Sequence, residues 1–119
     1  MLFLCYENCS TCKKAEKWLQ DNGISYTKRS ITDQPPTEEE LALWQQKSGL
    51  PLKRFFNTSG MLYRQMELKE KLPSMSEEEQ RRLLSQHGML VKRPIGVSED
   101  LVCVGFRPAE WEGFRQDQK

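Results

Sequence analysis

The chain has 119 residues, enough for one domain that buries about two-thirds of the surface its unfolded form exposes, so neither a metal nor a disulfide is needed for stability. Its 18 Lys and Arg against 17 Asp and Glu leave a formal charge of +1, which gives no broad field for attracting nucleic acid or an anionic membrane. No apolar run approaches the roughly 20 residues of a membrane span, and the opening residues Met1 to Tyr6 carry no charged region ahead of their short apolar stretch, so the protein is expected in the cytoplasm. Four cysteines in that compartment are expected to be reduced, with packing or chemical roles.

In chain order, Leu2 to Tyr6 is a continuous apolar run of strand length. Thr11 to Asn22 follows as a helix with Cys12, Ala15 and Leu19 on one face, and Gly23 ends it. Ile24 to Ile31 alternates loosely and completes a β-α-β unit, whose two strands should be parallel. Asp33-Gln34-Pro35-Pro36 breaks the pattern, and Thr37 with Glu40 forms a capping box for a helix that buries Leu41 and Trp44 and stops near Gly49. A further helical segment begins near Pro51, Asn57 to Gly60 is a turn, and Met61 to Leu68 is a short helix with Leu62, Met66 and Tyr63 as inward candidates. Ser76 with Glu79 repeats the capping box for a helix that runs to His87 and buries Leu83 and Leu84, with Gly88 as its left-handed cap. Ile95 to Val97 and Leu101 to Gly105 read as a β-hairpin about Ser98-Glu99-Asp100, and a last helix spans Pro108 to about Gln116. Together these describe a single α/β domain over residues 1–119, with a helical insertion at about 36–87 between sheet elements.

Cys9-Ser10-Thr11-Cys12 lies between the first strand and the first helix, where unpaired backbone N–H groups and the helix dipole favour an anion such as a thiolate. With Lys13 and Lys14 adding positive charge, Cys9 is expected to have a depressed pKa and to be the better nucleophile. Cys12, on the buried face, suits either a resolving thiol within one helical turn of Cys9 or a small core residue. Cys5 and Cys103 fall in apolar strand runs and read as packing residues. A second pair with close metal-ligand spacing is missing, so no metal is expected, and His87 sits at a helix end where the dipole accounts for it. Arg93 and Arg107 each precede a proline that favours extended geometry, so they can project from fixed backbone as forked anion binders or serve as ordinary surface charge. Glu77 to Arg82 reads as a solvated helix face.

The order of strand, Cys-Ser-Thr-Cys-Lys-Lys-Ala, helical insertion and Leu90-Val91-Lys92-Arg93-Pro94-Ile95 resembles the glutaredoxin-linked arsenate reductases and the Spx-type regulators over almost the whole chain. Lys53 to Gly60 and Leu72 to Glu79 look like the arsenate reductase-like branch of that family. The resemblance implies a thioredoxin-like mixed β-sheet flanked by helices, with a helical insertion and a cis Pro94 opposite Cys9. It also implies Cys9 as the nucleophile, with Arg93 and Arg107 binding an oxyanion. Aligning Gly49-Leu50-Pro51 with the family places Asn57 in the substrate-binding position where a third arginine belongs, with Arg54 nearby. Cys12 departs from the reductase branch, which generally has serine there, and matches the Cys-x-x-Cys switch of the Spx-type regulators. Two functions follow from the resemblance: a thiol-dependent oxidoreductase acting on arsenate, a disulfide or a glutathionyl adduct, or a redox-sensing regulator that binds RNA polymerase. A degenerate member whose thiols only pack is the third. The first would need no bound cofactor, but a thiol reductant such as glutaredoxin or thioredoxin, with glutathione or another thiol as donor; no direct nucleic-acid contact is expected for either.

Overall fold

The computed structural model describes residues 1–116. These divide into two compact units, one formed by Met1–Ser30 with the segment from Arg93 onward, the other by Ile31–Lys92.

The first unit is built on a mixed four-stranded sheet in the order β2-β1-β3-β4. β1 (Leu2–Cys5) pairs in parallel with β2 (Thr27–Ser30) and antiparallel with β3 (Ile95–Val97), which pairs antiparallel with β4 (Val102–Val104). The parallel pair and the hairpin are those the sequence predicts. Successive strand side chains face opposite ways, so Phe3 and Cys5 point to one face, where they join Cys103 of β4. That face is covered by α1 (Ser10–Asp21) through Cys12, Ala15 and Leu19, and by Trp111 and Phe114 of the last helical segments. Trp111 is fully buried yet satisfied, because its indole N–H donates to the Gly105 carbonyl at 2.9 Å. Each large apolar side chain buried in this way contributes about 1.5–3 kcal/mol. Gly96 is required opposite Phe3, since a Cβ there would lie 2.9 Å from the Phe114 ring.

Two boundaries differ from expectation. The second strand covers only Thr27–Ser30 instead of Ile24 to Ile31, because Gly23 at φ 66° turns the chain so that the Ile24 N–H bonds back to the Leu19 carbonyl at 3.0 Å. That bond satisfies the end of α1 and commits Ile24 to the core beneath it. The last helix is two short pieces, α6 (Pro108–Trp111) and α7 (Gly113–Gln116), interrupted at Glu112.

In the second unit, α2 (Glu38–Ser48) and α5 (Glu77–Gln86) each open on the complete capping box expected from Thr37/Glu40 and Ser76/Glu79. They pack together, with Leu41, Trp44 and Leu84 buried and Leu83 only partly so. Between them the predicted helix over 61–68 is broken into α3 (Met61–Gln65) and α4 (Leu68–Lys71), separated by Glu67 in the left-handed region at φ 54°. Tyr63 and Leu68 take the buried positions, whereas Leu62 and Met66 are half-buried. Gly88 is not the left-handed cap that its position suggests. It opens a 3-10 turn, Gly88–Leu90, and is needed for close approach, since a Cβ there would lie 1.9 Å from the Ile31 carbonyl oxygen. Among the described residues no helix is long and apolar enough to cross a membrane.

Candidate active site at the head of the first helix

β1 delivers the chain to a tight loop, Tyr6 to Cys9, closed by a hydrogen bond from the Cys9 N–H to the Tyr6 carbonyl at 3.1 Å. Cys9 has extended backbone and occupies the N-cap of α1, which starts at Ser10, one residue earlier than expected. Thr11 and Cys12 therefore stand at the second and third helical positions, whose N–H groups have no partner within the helix. The Cys9 thiol does not close a conventional side-chain cap on them. They are nevertheless near enough to act on its charge.

Burial alone would raise the Cys9 pKa. The backbone N–H of Cys12, the Cys12 thiol, the Arg93 guanidinium and the backbone N–H of Thr11 outweigh it and lower the value below that of an ordinary cysteine. Lys13 and Lys14 are exposed and are not among these causes. The depression expected from the sequence is therefore present, but it comes from backbone amides, the Cys12 thiol and an arginine.

Cys12 is the opposite case. Its side chain is 2% exposed, and burial, reinforced by the nearby Cys9 and Cys5, pushes its thiol up to about 12 although the Tyr6 N–H donates to its Sγ at 3.4 Å. Two thiols one helical turn apart are thus shifted in opposite directions, Cys9 down and Cys12 up, with the Cys12 thiol donating to the Cys9 sulfur. Cys5 and Cys103 behave as packing residues. Both are buried, the first with its thiol raised by burial, the second pushed up to about 11 by burial and by Glu110.

Arg93 reaches this site from the segment that leads into β3, and its peptide bond to Pro94 is cis, as the family resemblance implies. The guanidinium carbon lies 5.0 Å from the centre of the Tyr6 ring, within cation–π range. Arg107 forms the N-cap of α6 with extended backbone; its side chain is exposed and makes no hydrogen bond or ion pair with any described residue. Asn57 belongs to the second unit, where its N–H donates to the Leu90 carbonyl at 2.7 Å and its carbonyl accepts from Gly60 at 3.0 Å. Of the residues singled out from the sequence, the structure therefore brings Cys9, Cys12 and Arg93 together. Among the described residues no group of three His, Cys, Asp or Glu side chains converges to hold a metal.

Tyr6 escaped the sequence reading although it touches all three. The available signal was an aromatic residue three positions before Cys9, ending an apolar strand run. Beside it a cleft of about 240 Å³ runs past Cys5 and Cys12 to Glu16 and Lys28. Glu16 is pinned there, accepting from the Tyr26 hydroxyl at 2.8 Å and from Lys28 Nζ at 3.2 Å.

Comparison with known proteins shows the family and the fold. The model of the ArsC family matches residues 4–114. The crystal structure of an ArsC family related protein from Bacteroides fragilis superposes with a TM-score of 0.92 at 57% identity, covering 95% of each chain. A second crystal structure, described as a possible arsenate reductase from Streptococcus mutans UA159, gives a TM-score of 0.83 at 42% identity over 89% of this chain and 90% of that one. The uncharacterized protein YusI of Bacillus subtilis strain 168 is 50% identical over 94% of this chain and 95% of its own length. Global transcriptional regulator Spx 1 of Bacillus anthracis is 27% identical over 90% of this chain and 80% of its own.

Proposed function

The chain belongs to the ArsC family, and on that footing we propose that it is a thiol-dependent oxidoreductase of the arsenate reductase-like kind, with Cys9 as nucleophile, Cys12 as resolving thiol and Arg93 as the anchor for negative charge on the substrate. The observation that carries this is the opposed state of the two thiols: a Cys9 sulfur favoured as thiolate at a helix head, beside a Cys12 that keeps its proton. A nucleophile needs the first property, and a resolving group that must not compete for substrate needs the second.

The chemistry runs as two exchanges. Cys9 thiolate attacks one sulfur of a disulfide, forming a mixed disulfide and expelling the other sulfur as thiolate. Cys12 then loses its proton to a departing thiolate and attacks the Cys9 sulfur, which releases the second substrate thiol and leaves a Cys9–Cys12 disulfide. An external dithiol of the glutaredoxin or thioredoxin kind returns the two electrons. Arg93 favours substrates with a carboxylate or oxyanion close to the reacting sulfur, as in a glutathionyl adduct. Arsenate itself is the weaker candidate, since Asn57 stands where the resemblance calls for a third oxyanion-binding arginine.

Trapping tests this directly. The Cys12→Ser variant, incubated with oxidised glutathione, is expected to accumulate one glutathionyl group on Cys9, and the wild type to pass on to the internal disulfide. Absence of any adduct on Cys9, or labelling of Cys5 or Cys103 instead, contradicts the proposal.

A second function is favoured by the likeness to Spx 1 of Bacillus anthracis, a global transcriptional regulator, together with the Cys-x-x-Cys pair that the resemblance ties to such regulators. Here the same disulfide is a switch, and RNA polymerase is the partner. Capture of RNA polymerase by one redox state only, with no catalytic turnover, is the result that separates it from the enzyme.

A further inference from the structure

We infer that Tyr6 is a positioning residue for the proposed thiol chemistry: its ring is the platform that holds the Arg93 guanidinium at the Cys9 sulfur. This rests on the oxidoreductase reading above and assigns it a further residue.

Three contacts place Tyr6 at the centre of the site. Its carbonyl accepts from the Cys9 N–H at 3.1 Å, its N–H donates to Cys12 Sγ at 3.4 Å, and its ring face lies 5.0 Å from the Arg93 guanidinium carbon. The first two are backbone contacts and survive a change of side chain. Only the third belongs to the ring, so substitution separates it from the rest.

The physical reason for such a platform lies in arginine itself. A guanidinium on a long side chain loses considerable rotamer freedom when held in one place, and an exposed one gains little from a single anionic partner. The face of an aromatic ring supplies a second, sequence-local attraction that leaves the edge N–H donors free to point at an anion. Tyr6 is half-buried and sits on the loop that carries Cys9, so the platform and the sulfur move together. Arg93 comes from a distant part of the sequence, and its guanidinium, which acts on Cys9, lies over this ring. The thiolate and a negatively charged substrate call on the same guanidinium, and the ring keeps it in place as one replaces the other.

The test is pH-dependent alkylation of Cys9 in the full reduced chain, followed by mass spectrometry, for Tyr6→Phe, Tyr6→Leu, Arg93→Gln and the double variant Tyr6→Leu/Arg93→Gln. Tyr6→Phe keeps the ring face and is expected to retain the wild-type profile. Tyr6→Leu is expected to slow alkylation at pH 6 by about two- to fivefold, the size of a partly exposed cation–π contact, and to move the midpoint upward. In the Arg93→Gln background the same change is expected to have no further effect. A ring-fluorinated phenylalanine at position 6 keeps the size and weakens the charge of the face, so it reads the same quantity should the leucine variant fail to fold. A depressed wild-type midpoint that neither the leucine nor the fluorinated variant moves overturns this inference alone, as does a shift that persists undiminished without Arg93. An ordinary midpoint in the wild type overturns the thiolate reading and this inference together.

Discussion

Cys9 and Cys12 have the same side chain and are one helical turn apart, and what separates them is where each sulfur meets the backbone. Cys9 faces amide N–H groups that the helix itself leaves without a partner, whereas Cys12 faces the core and is buried. The asymmetry makes stability depend on pH in the reduced state. A thiol whose folded pKa is depressed stabilises the fold fully above its unfolded value of about 8.5, and that contribution is lost as pH falls through the folded value. Cys12, raised to about 12, contributes in the other direction: its stabilisation is complete below the ordinary thiol range and is lost as pH rises towards that value. Thermal melts of reduced wild type and Cys9→Ser between pH 5 and 8.5 are therefore expected to diverge, the wild type gaining on the variant as pH rises. Parallel curves would mean that Cys9 titrates normally.

At the scale of elements, the helices of the second unit depend on their caps. Ser76 accepts from the Glu79 N–H at 3.1 Å while Glu79 reaches back to the Ser76 N–H at 3.2 Å. Ser76→Ala is expected to cost about 1 kcal/mol in urea denaturation. Gly88→Ala is expected to cost more, on the order of 1–3 kcal/mol as for other forced overpacking, because its Cβ would run into the Ile31 carbonyl. A neutral result there would show that the backbone can shift where it now touches. These elements also show what can be read from sequence. Both capping boxes and the hairpin were legible because each is encoded by residues close together in the chain, and the parallel β1–β2 pair because strand, helix and strand follow in succession. The role of Gly88 was not, since a C-terminal glycine looks the same whether it is chosen for handedness or for the approach of a segment more than fifty residues away. The break at Glu67 hid for a similar reason: a non-glycine left-handed residue has no local sequence signal. At the site, the place of Cys9 before a helix is legible locally, but of the groups that lower its pKa, which include the Cys12 amide and thiol, Arg93 lies 84 positions away along the chain and has no local signal.

For the molecule as a whole, the sheet and the Cys9 loop hold a thiol of lowered pKa, in an ArsC family chain similar to a possible arsenate reductase and to a global transcriptional regulator. Lowering the pKa of one member of a dithiol stabilises the reduced form, which makes the disulfide more oxidising. Replacing Arg93 by Gln is accordingly expected to make the Cys9–Cys12 pair less oxidising in equilibrium with glutathione buffers. An unchanged equilibrium would show that Arg93 does not act on the thiolate. In the proposed function the same arginine selects the substrate, so glutathionyl adducts are expected to be reduced faster than disulfides lacking a nearby carboxylate, and Arg93→Gln is expected to narrow that difference.

The most direct test of the central claim is the rate of Cys9 alkylation as a function of pH in the reduced wild type, with Cys9→Ser and Cys12→Ser as references. A fast phase with a midpoint well below about 8.5, present in the wild type and absent from Cys9→Ser, is the expected result. A Cys9 that titrates at or above that value would contradict it, and with it the oxidoreductase.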